Sequence, residues 1–151
     1  MSGPPLMTPP FESTADRPKG ERAPLVLVVD DFEDNRAMYA EFLTCSGYRV
    51  EQASNGEEAV ELTHRLMPDV VVMDLSLPVM DGWEAIRRLK SDQGTTRIPI
   101  IALTGHALAV HSRGALEAGC DAFLAKPCLP DKLLETVEEL LGKLRRSDLS
   151  P

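Results

Sequence analysis

The sequence predicts an α/β fold: five parallel strands in one sheet, covered on both faces by five helices. Three observations carry that expectation. Continuous apolar runs at 25–29, 70–73, 98–103 and 122–125 lack the alternation of a half-wet strand, and read as strands buried on both faces. Stretches with helical spacing and helix stop signals separate the strands, which is the alternation of a doubly covered parallel sheet with right-handed crossovers. Each run also delivers a polar residue at its end: Asp30-Asp31, Asp74, Thr104 and Lys126. In open parallel sheets, chemistry gathers outside the carboxyl ends of the strands.

Residues 1–23 are expected to be a disordered tail. Pro4, Pro5, Pro9, Pro10 and Pro18 sit there among Ser, Thr, Gly and charges, which can neither form a helix nor bury a core. No apolar stretch longer than Leu6-Met7 occurs in it, so it is not a signal peptide. The folded domain spans 24–146, with 147–151 as a C-terminal tail and no effector domain expected to follow. After the first strand, Asp34 and Asn35 open a helix that runs to Cys45 or Ser46 and stops at Gly47, with Met38, Phe42 and Leu43 on its apolar face. A short second strand covers 49–53, and Asn55-Gly56 is the turn after it. The second helix, 57–66, carries acidic residues in its first turn, where the helix dipole favours them, and Pro68 ends it.

The third strand ends at Asp74, and the loop through Pro78 to Gly82 crosses the sheet edge. Trp83, Ile86 and Leu89 recur at spacing three along a third helix that stops near Gln93-Gly94, with Trp83 a core or boundary residue. Thr104-Gly105 ends the fourth strand. A thinly apolar fourth helix (Leu108, Val110, Leu116) covers 106–118, and Gly119 stops it. The fifth strand precedes Lys126-Pro127, whose peptide bond is expected cis, since an X-Pro bond costs only ~0.5–1 kcal/mol to hold that way. Pro130 opens the last helix. Leu133, Leu134, Val137, Leu140, Leu141 and Leu144 form its buried side, and Lys143, Arg145 and Arg146 lie at its cation-favouring end.

A net charge of -8 argues against a nucleic-acid surface. Cys45, Cys120 and Cys128 fit neither a disulfide framework nor a zinc site, so they read as reduced thiols of a cytoplasmic protein, serving as small apolar residues. There is no stretch for membrane insertion, and no Gly-rich loop ending in Lys-Ser/Thr for a nucleoside triphosphate. With the strands side by side, three carboxylates, a hydroxyl and an ammonium converge on one edge. Adjacent carboxylates repel, so such a cluster is costly without a cation. An all-oxygen set with few protein ligands suits Mg²⁺, which keeps several waters and shares its shell with phosphoryl groups.

At these residues the chain resembles the receiver (response-regulator) domain of two-component phosphorelay systems. The segments Val-Val-Asp-Asp-Phe-Glu-Asp-Asn-Arg, Val-Met-Asp-Leu-Ser-Leu-Pro-Val-Met-Asp-Gly, Ala-Leu-Thr-Gly and Leu-Ala-Lys-Pro occur in that family's order and spacing, from about Leu25 to Arg146. The resemblance implies a flavodoxin-like strand order of 2-1-3-4-5. It implies that Asp74 accepts a phosphoryl group from a phosphohistidine on a histidine kinase or histidine phosphotransfer protein. Asp31, Asp74 and the backbone carbonyl of Ser76 would ligate Mg²⁺, and Asp30 would hold a metal-bound water. Lys126 would contact Asp74 and then a phosphoryl oxygen. Thr104 and Phe123 would form the switch, with Phe123 standing where the family often has Tyr, so that readout through a hydroxyl is lost.

The signal would leave through the face of the fourth helix, fifth strand and fifth helix, toward a separate protein or a second copy. Such a protein promotes only its own phosphorylation and dephosphorylation and is not otherwise an enzyme. Ser76 and His106 flank the site and bear on phosphoryl lifetime; His64 and His111 carry no assigned role. Two other readings exist. One is a receiver fold used as a binding scaffold without phosphorylation. The other is a haloacid-dehalogenase-like phosphatase, whose Asp-x-Asp spacing the adjacent Asp30-Asp31 pair lacks.

Overall fold

The computed structural model describes residues 23–75, 82–105 and 119–149. Strands β1 (Leu25–Val29), β2 (Arg49–Ala53), β3 (Val70–Asp74), β4 (Ile100–Thr104) and β5 (Ala122–Ala125) form one parallel sheet in the order β2-β1-β3-β4-β5. This is the flavodoxin-like order, and winding reverses between β1 and β3, where a crevice opens at the carboxyl edge. Register places the functional residues level with one another. Val29 pairs with Met73, Asp74 with Leu103 and Thr104 with Ala125, so Asp30, Asp74, Thr104 and Lys126 all emerge at that edge.

Strands β1, β3 and β4 are buried along their whole length, as their unbroken apolar character requires. Successive residues feed two separate cores. Leu27, Val29, Val71, Met73, Ile100 and Ala102 pack on one face with Ala85, Ile86 and Leu89. Val26, Val28, Val70, Val72, Ile101 and Leu103 pack on the other with Tyr39, Leu43, Leu133 and Val137. Edge strand β2 exposes Arg49, Glu51 and Gln52, and such polar side chains discourage edge-to-edge pairing with another chain.

Four helices lie among the described residues: α1 (Glu33–Cys45), α2 (Gly56–Leu66), α3 (Gly82–Ser91) and α4 (Pro130–Leu149). The helix expected over 106–118, the tail over 1–22 and the loop over 76–81 fall outside the described residues, as do the side chains of Lys143, Leu144, Arg145 and Arg146. Residues 147–149, expected as tail, continue α4.

Three local expectations need correction. Helix α1 buries Tyr39, Ala40 and Leu43, while Met38 is turned outward. The 3.6-residue repeat lets only one stripe face the sheet, and that stripe runs through Tyr39. Asn55-Gly56 is a helix start and not a free turn: the Glu58 N–H donates to Asn55 Oδ1 at 2.8 Å, and the Ser54 N–H donates to Glu58 Oε1 at 2.8 Å. That is reciprocal capping of otherwise orphaned donors. Cys45 is exposed at the end of α1, so only Cys120 and Cys128 serve as partly or fully buried small residues.

Candidate functional site

Asp30, Asp31 and Asp74 each offer a carboxylate oxygen, and these oxygens lie within 4.8 Å of one another. Lys126 Nζ reaches Asp74 Oδ2 at 3.0 Å and Asp30 Oδ2 at 3.5 Å. Asp30 and Asp74 are 1% and 3% exposed, whereas Asp31 is open to solvent and marks the mouth of the cluster.

Backbone and side-chain contacts hold these groups in place. Asp30 Oδ1 accepts the Phe32 N–H at 2.9 Å, and the Asp30 N–H donates to the Ala53 carbonyl at 3.1 Å. Arg36 Nη1 donates to the Asp30 carbonyl at 2.9 Å, while its Nε donates to Gln52 Oε1 at 3.1 Å. On the other side of the crevice, the Lys126 N–H donates to the Thr104 carbonyl at 2.7 Å. The Lys126-Pro127 bond is cis, as expected. Tyr39 Oη donates to the Cys128 carbonyl at 2.8 Å, tying α1 to the segment that carries Lys126.

Burial pushes the Asp30 carboxyl above its ordinary range, and the Phe32 N–H and the Lys126 charge offset this only in part. Burial disfavours the Lys126 ammonium, but its hydrogen bond to Asp74 and the charges of Asp74 and Asp30 outweigh that effect and hold its pKa above the usual lysine value. Lys126 therefore stays charged at neutral pH. Among the described residues the cluster sets three carboxylates against this one ammonium. Clustered oxygen donors with excess negative charge fit a small divalent cation, and the hard-oxygen chemistry is that of Mg²⁺.

The structure thus brings together Asp30, Asp31, Asp74 and Lys126. Thr104 is buried at the end of β4, in the strand beside Asp74. Phe123 is half-buried, three residues before Lys126, and its ring meets Trp83 with centroids 5.9 Å apart and planes tilted by 51°. Ser76, His106 and His111 fall outside the described residues. His64, given no role, pairs through Nε2 with Asp92 Oδ2 at 2.8 Å. Sequence reasoning missed the Phe32 amide, Arg36 and Tyr39. A backbone donor leaves no mark in residue identity, but an arginine five residues past an Asp-Asp pair is a readable signal.

The response regulator receiver domain family matches residues 26–138. The chain belongs to that family. This receiver is 33% identical over 117 residues to the polar-differentiation response regulator DivK of Brucella anthropi, covering 78% of this chain and 95% of that one. Its fold is similar to that of the receiver domain of sensor histidine kinase PA1611 from Pseudomonas aeruginosa, solved with a magnesium ion coordinated in the active-site cleft. There the TM-score is 0.73 and the identity 34%, over 80% of this chain and 98% of that one. The chemotaxis response regulator CheY4 of Vibrio cholerae is similar as well, with a TM-score of 0.74 and 31% identity over 80% of this chain and 99% of that one. The receiver is thus a phosphoacceptor domain of two-component signalling. Among the described residues no helix is long and apolar enough to cross a membrane.

Proposed function

We propose that this receiver works as a cytoplasmic response regulator, taking a phosphoryl group onto Asp74 from a phosphohistidine of a histidine kinase or phosphotransfer protein. The observation that carries the reading is the pairing of Asp74 with Lys126 at 3.0 Å inside a cluster of three carboxylates. Asp74 is the attacking group because Lys126 engages its carboxylate directly and β3 delivers it to the centre of the crevice. An Asp74 oxygen attacks phosphorus in line as the bond to the histidine nitrogen breaks, and the imidazole leaves with the bonding pair. Lys126 then follows the negative charge onto a phosphoryl oxygen.

Like charges within ~4 Å repel by several kcal/mol even at an effective dielectric near 20, so the approach needs a cation. Asp30, Asp31 and Asp74, with the Ser76 carbonyl, would hold Mg²⁺. When bound, it neutralises this charge and orients the reacting oxygens. Asp31, at the mouth of the cluster, and Asp74 would hold the ion directly, with Asp30 acting through a water.

The signal would leave through Thr104 and Phe123 toward the face of β5 and α4, and on to a separate protein or a second copy. A bond from Thr104 to the phosphoryl group and the new pairing with Lys126 must differ between states by the few kcal/mol that separate two conformers. Incubation with acetyl phosphate and Mg²⁺ should label the protein with acid- and base-labile phosphate, and chelation should abolish labelling. Labelling that ignores the chelator would sink the metal's part. Amide exchange with a beryllofluoride mimic should change most across 105–123. A change confined to α2 would displace the output face.

A further inference from the structure

Gly82, the first residue of α3, lies against the backbone of Asp74 and Leu75. A Cβ built on it would stand 2.6 Å from Leu75 Cα and 3.0 Å from the Asp74 carbonyl carbon, with the Asp74 carbonyl oxygen nearer still. These are main-chain atoms, so no side chain can rotate aside. Gly82 is buried, its N–H donates to the Leu75 carbonyl at 3.3 Å, and it is not among the glycines with positive φ. Glycine is therefore required here by close approach and not by backbone conformation.

We propose that Gly82 is a positioning residue for the phosphoacceptor: its missing side chain lets α3 close on the Asp74–Leu75 peptide, and this contact sets the Asp74 carboxylate against Asp30, Asp31 and Lys126. The inference rests on Asp74 being the phosphoacceptor. A methyl group at 82 must either drive α3 outward or tilt the 74–75 peptide. Helix α3 is anchored by Ala85, Ile86 and Leu89, all at most 1% exposed. Unpacking those side chains costs far more than tilting one peptide. The peptide sits at the end of β3, where Asp74 pairs with Leu103 and the Leu75 N–H donates to the Leu103 carbonyl at 3.0 Å. The displacement therefore falls on Asp74 and on the chain that follows it.

The test compares Gly82→Ala with Gly119→Ala in the full chain. Gly119 is a matched control: its φ is +89° and an added Cβ would lie 3.2 Å from Lys90 Cγ, at the opposite edge of the sheet. Both variants should lower the thermal midpoint. Only Gly82→Ala should weaken Mg²⁺ binding, by about tenfold to a hundredfold in calorimetry, and slow labelling by acetyl phosphate by about a hundredfold. A Gly82→Ala protein that loses stability like the control but binds Mg²⁺ as wild type does overturns the proposal. Should Gly82→Ala not fold, the wild-type protein decides. On Mg²⁺ titration followed by NMR, the Gly82 amide should shift with the Asp74 midpoint while Gly119 stays still, and an unmoved Gly82 amide overturns the idea. Wild type that neither binds Mg²⁺ nor accepts phosphate instead removes the reading of Asp74 itself, and this proposal with it.

Discussion

At the amino edge of the sheet, aspartates close the structure; at the carboxyl edge, the same residue type opens it to a ligand. Asp69, just before β3, accepts the Leu25 N–H at 2.7 Å. Asp121, just before β5, accepts the Ile100 N–H at 2.8 Å and pairs with Lys90 at 2.9 Å. Lys90 also donates to the Thr96 and Ile98 carbonyls at 3.1 and 2.9 Å. Each carboxylate thus satisfies the first amide of the neighbouring strand, a donor that burial would otherwise leave costly. At the far edge the carboxylates of Asp30, Asp31 and Asp74 lie within 4.8 Å of one another, and Lys126 pairs with Asp30 and Asp74. What separates the two edges is the balance of charge: Asp121 faces Lys90, whereas three clustered carboxylates share Lys126.

Substitutions at the two edges should therefore fail in different ways. The largest effect belongs to Asp74→Asn, an almost isosteric change that removes the nucleophile. Labelling by acetyl phosphate should fall to background with the circular dichroism spectrum unchanged, and residual labelling at the wild-type level would place the acceptor elsewhere. Next comes metal affinity: Asp31→Ala should weaken Mg²⁺ binding by about tenfold to a hundredfold, and more than Asp30→Ala does. Equal losses in calorimetry would mean that the direct and water-mediated roles are wrongly divided.

Asp121→Ala belongs to the other class. It strands the Ile100 N–H and takes the counter-charge from Lys90, and should cost about 1–3 kcal/mol in urea unfolding while leaving Mg²⁺ affinity intact. A change in metal affinity without a stability loss would erase the distinction between the edges.

The smallest effect concerns His64 and Asp92, exposed near the amino edge. The hydrogen bond to Asp92 raises the His64 pKa, and the same bond lowers that of Asp92. For His64 the raised folded value means its stabilisation is complete below the unfolded pKa and lost as pH rises through the folded one. For Asp92 the lowered value means its stabilisation is present above the unfolded pKa and lost as pH falls through the folded one. The pair therefore contributes between those limits, in mildly acidic solution. NMR titration of the imidazole should show a midpoint above the ordinary histidine value, and Asp92→Asn should lower it, with the Val60 carbonyl contact remaining.

Much of this was legible in the residues. The runs over 25–29 and 70–74 announce strands because burial on both faces leaves no room for polar interruption, while 122–125 is a half-buried edge strand read from its apolar content; their ends carry Asp30, Asp74 and Lys126. Strand β4 begins at Ile100 and not at Ile98, because Ile98 and Pro99 still belong to the approach from α3. Asn55-Gly56 reads equally well as turn or cap, and only the return of Glu58 to Ser54 decides it. Asp69 and Asp121 went unnoticed because their partners lie 44 and 21 residues away along the chain. An aspartate placed immediately before a buried strand is the signal that could have flagged both. The need for glycine at 82 depends on how closely α3 approaches β3, which no local pattern encodes.

Trp83 is the chain's single tryptophan. It follows the glycine pressed against Asp74 and rests on Phe123, 5.9 Å between ring centroids. The indole thus meets the aromatic residue three positions before Lys126, on a backbone that continues from the glycine beside the acceptor. Indole emission responds to the packing and polarity around the ring, so the protein carries its own optical probe. Intrinsic fluorescence followed by stopped flow should report phosphoryl arrival and loss in real time, with no dye, label or added chromophore.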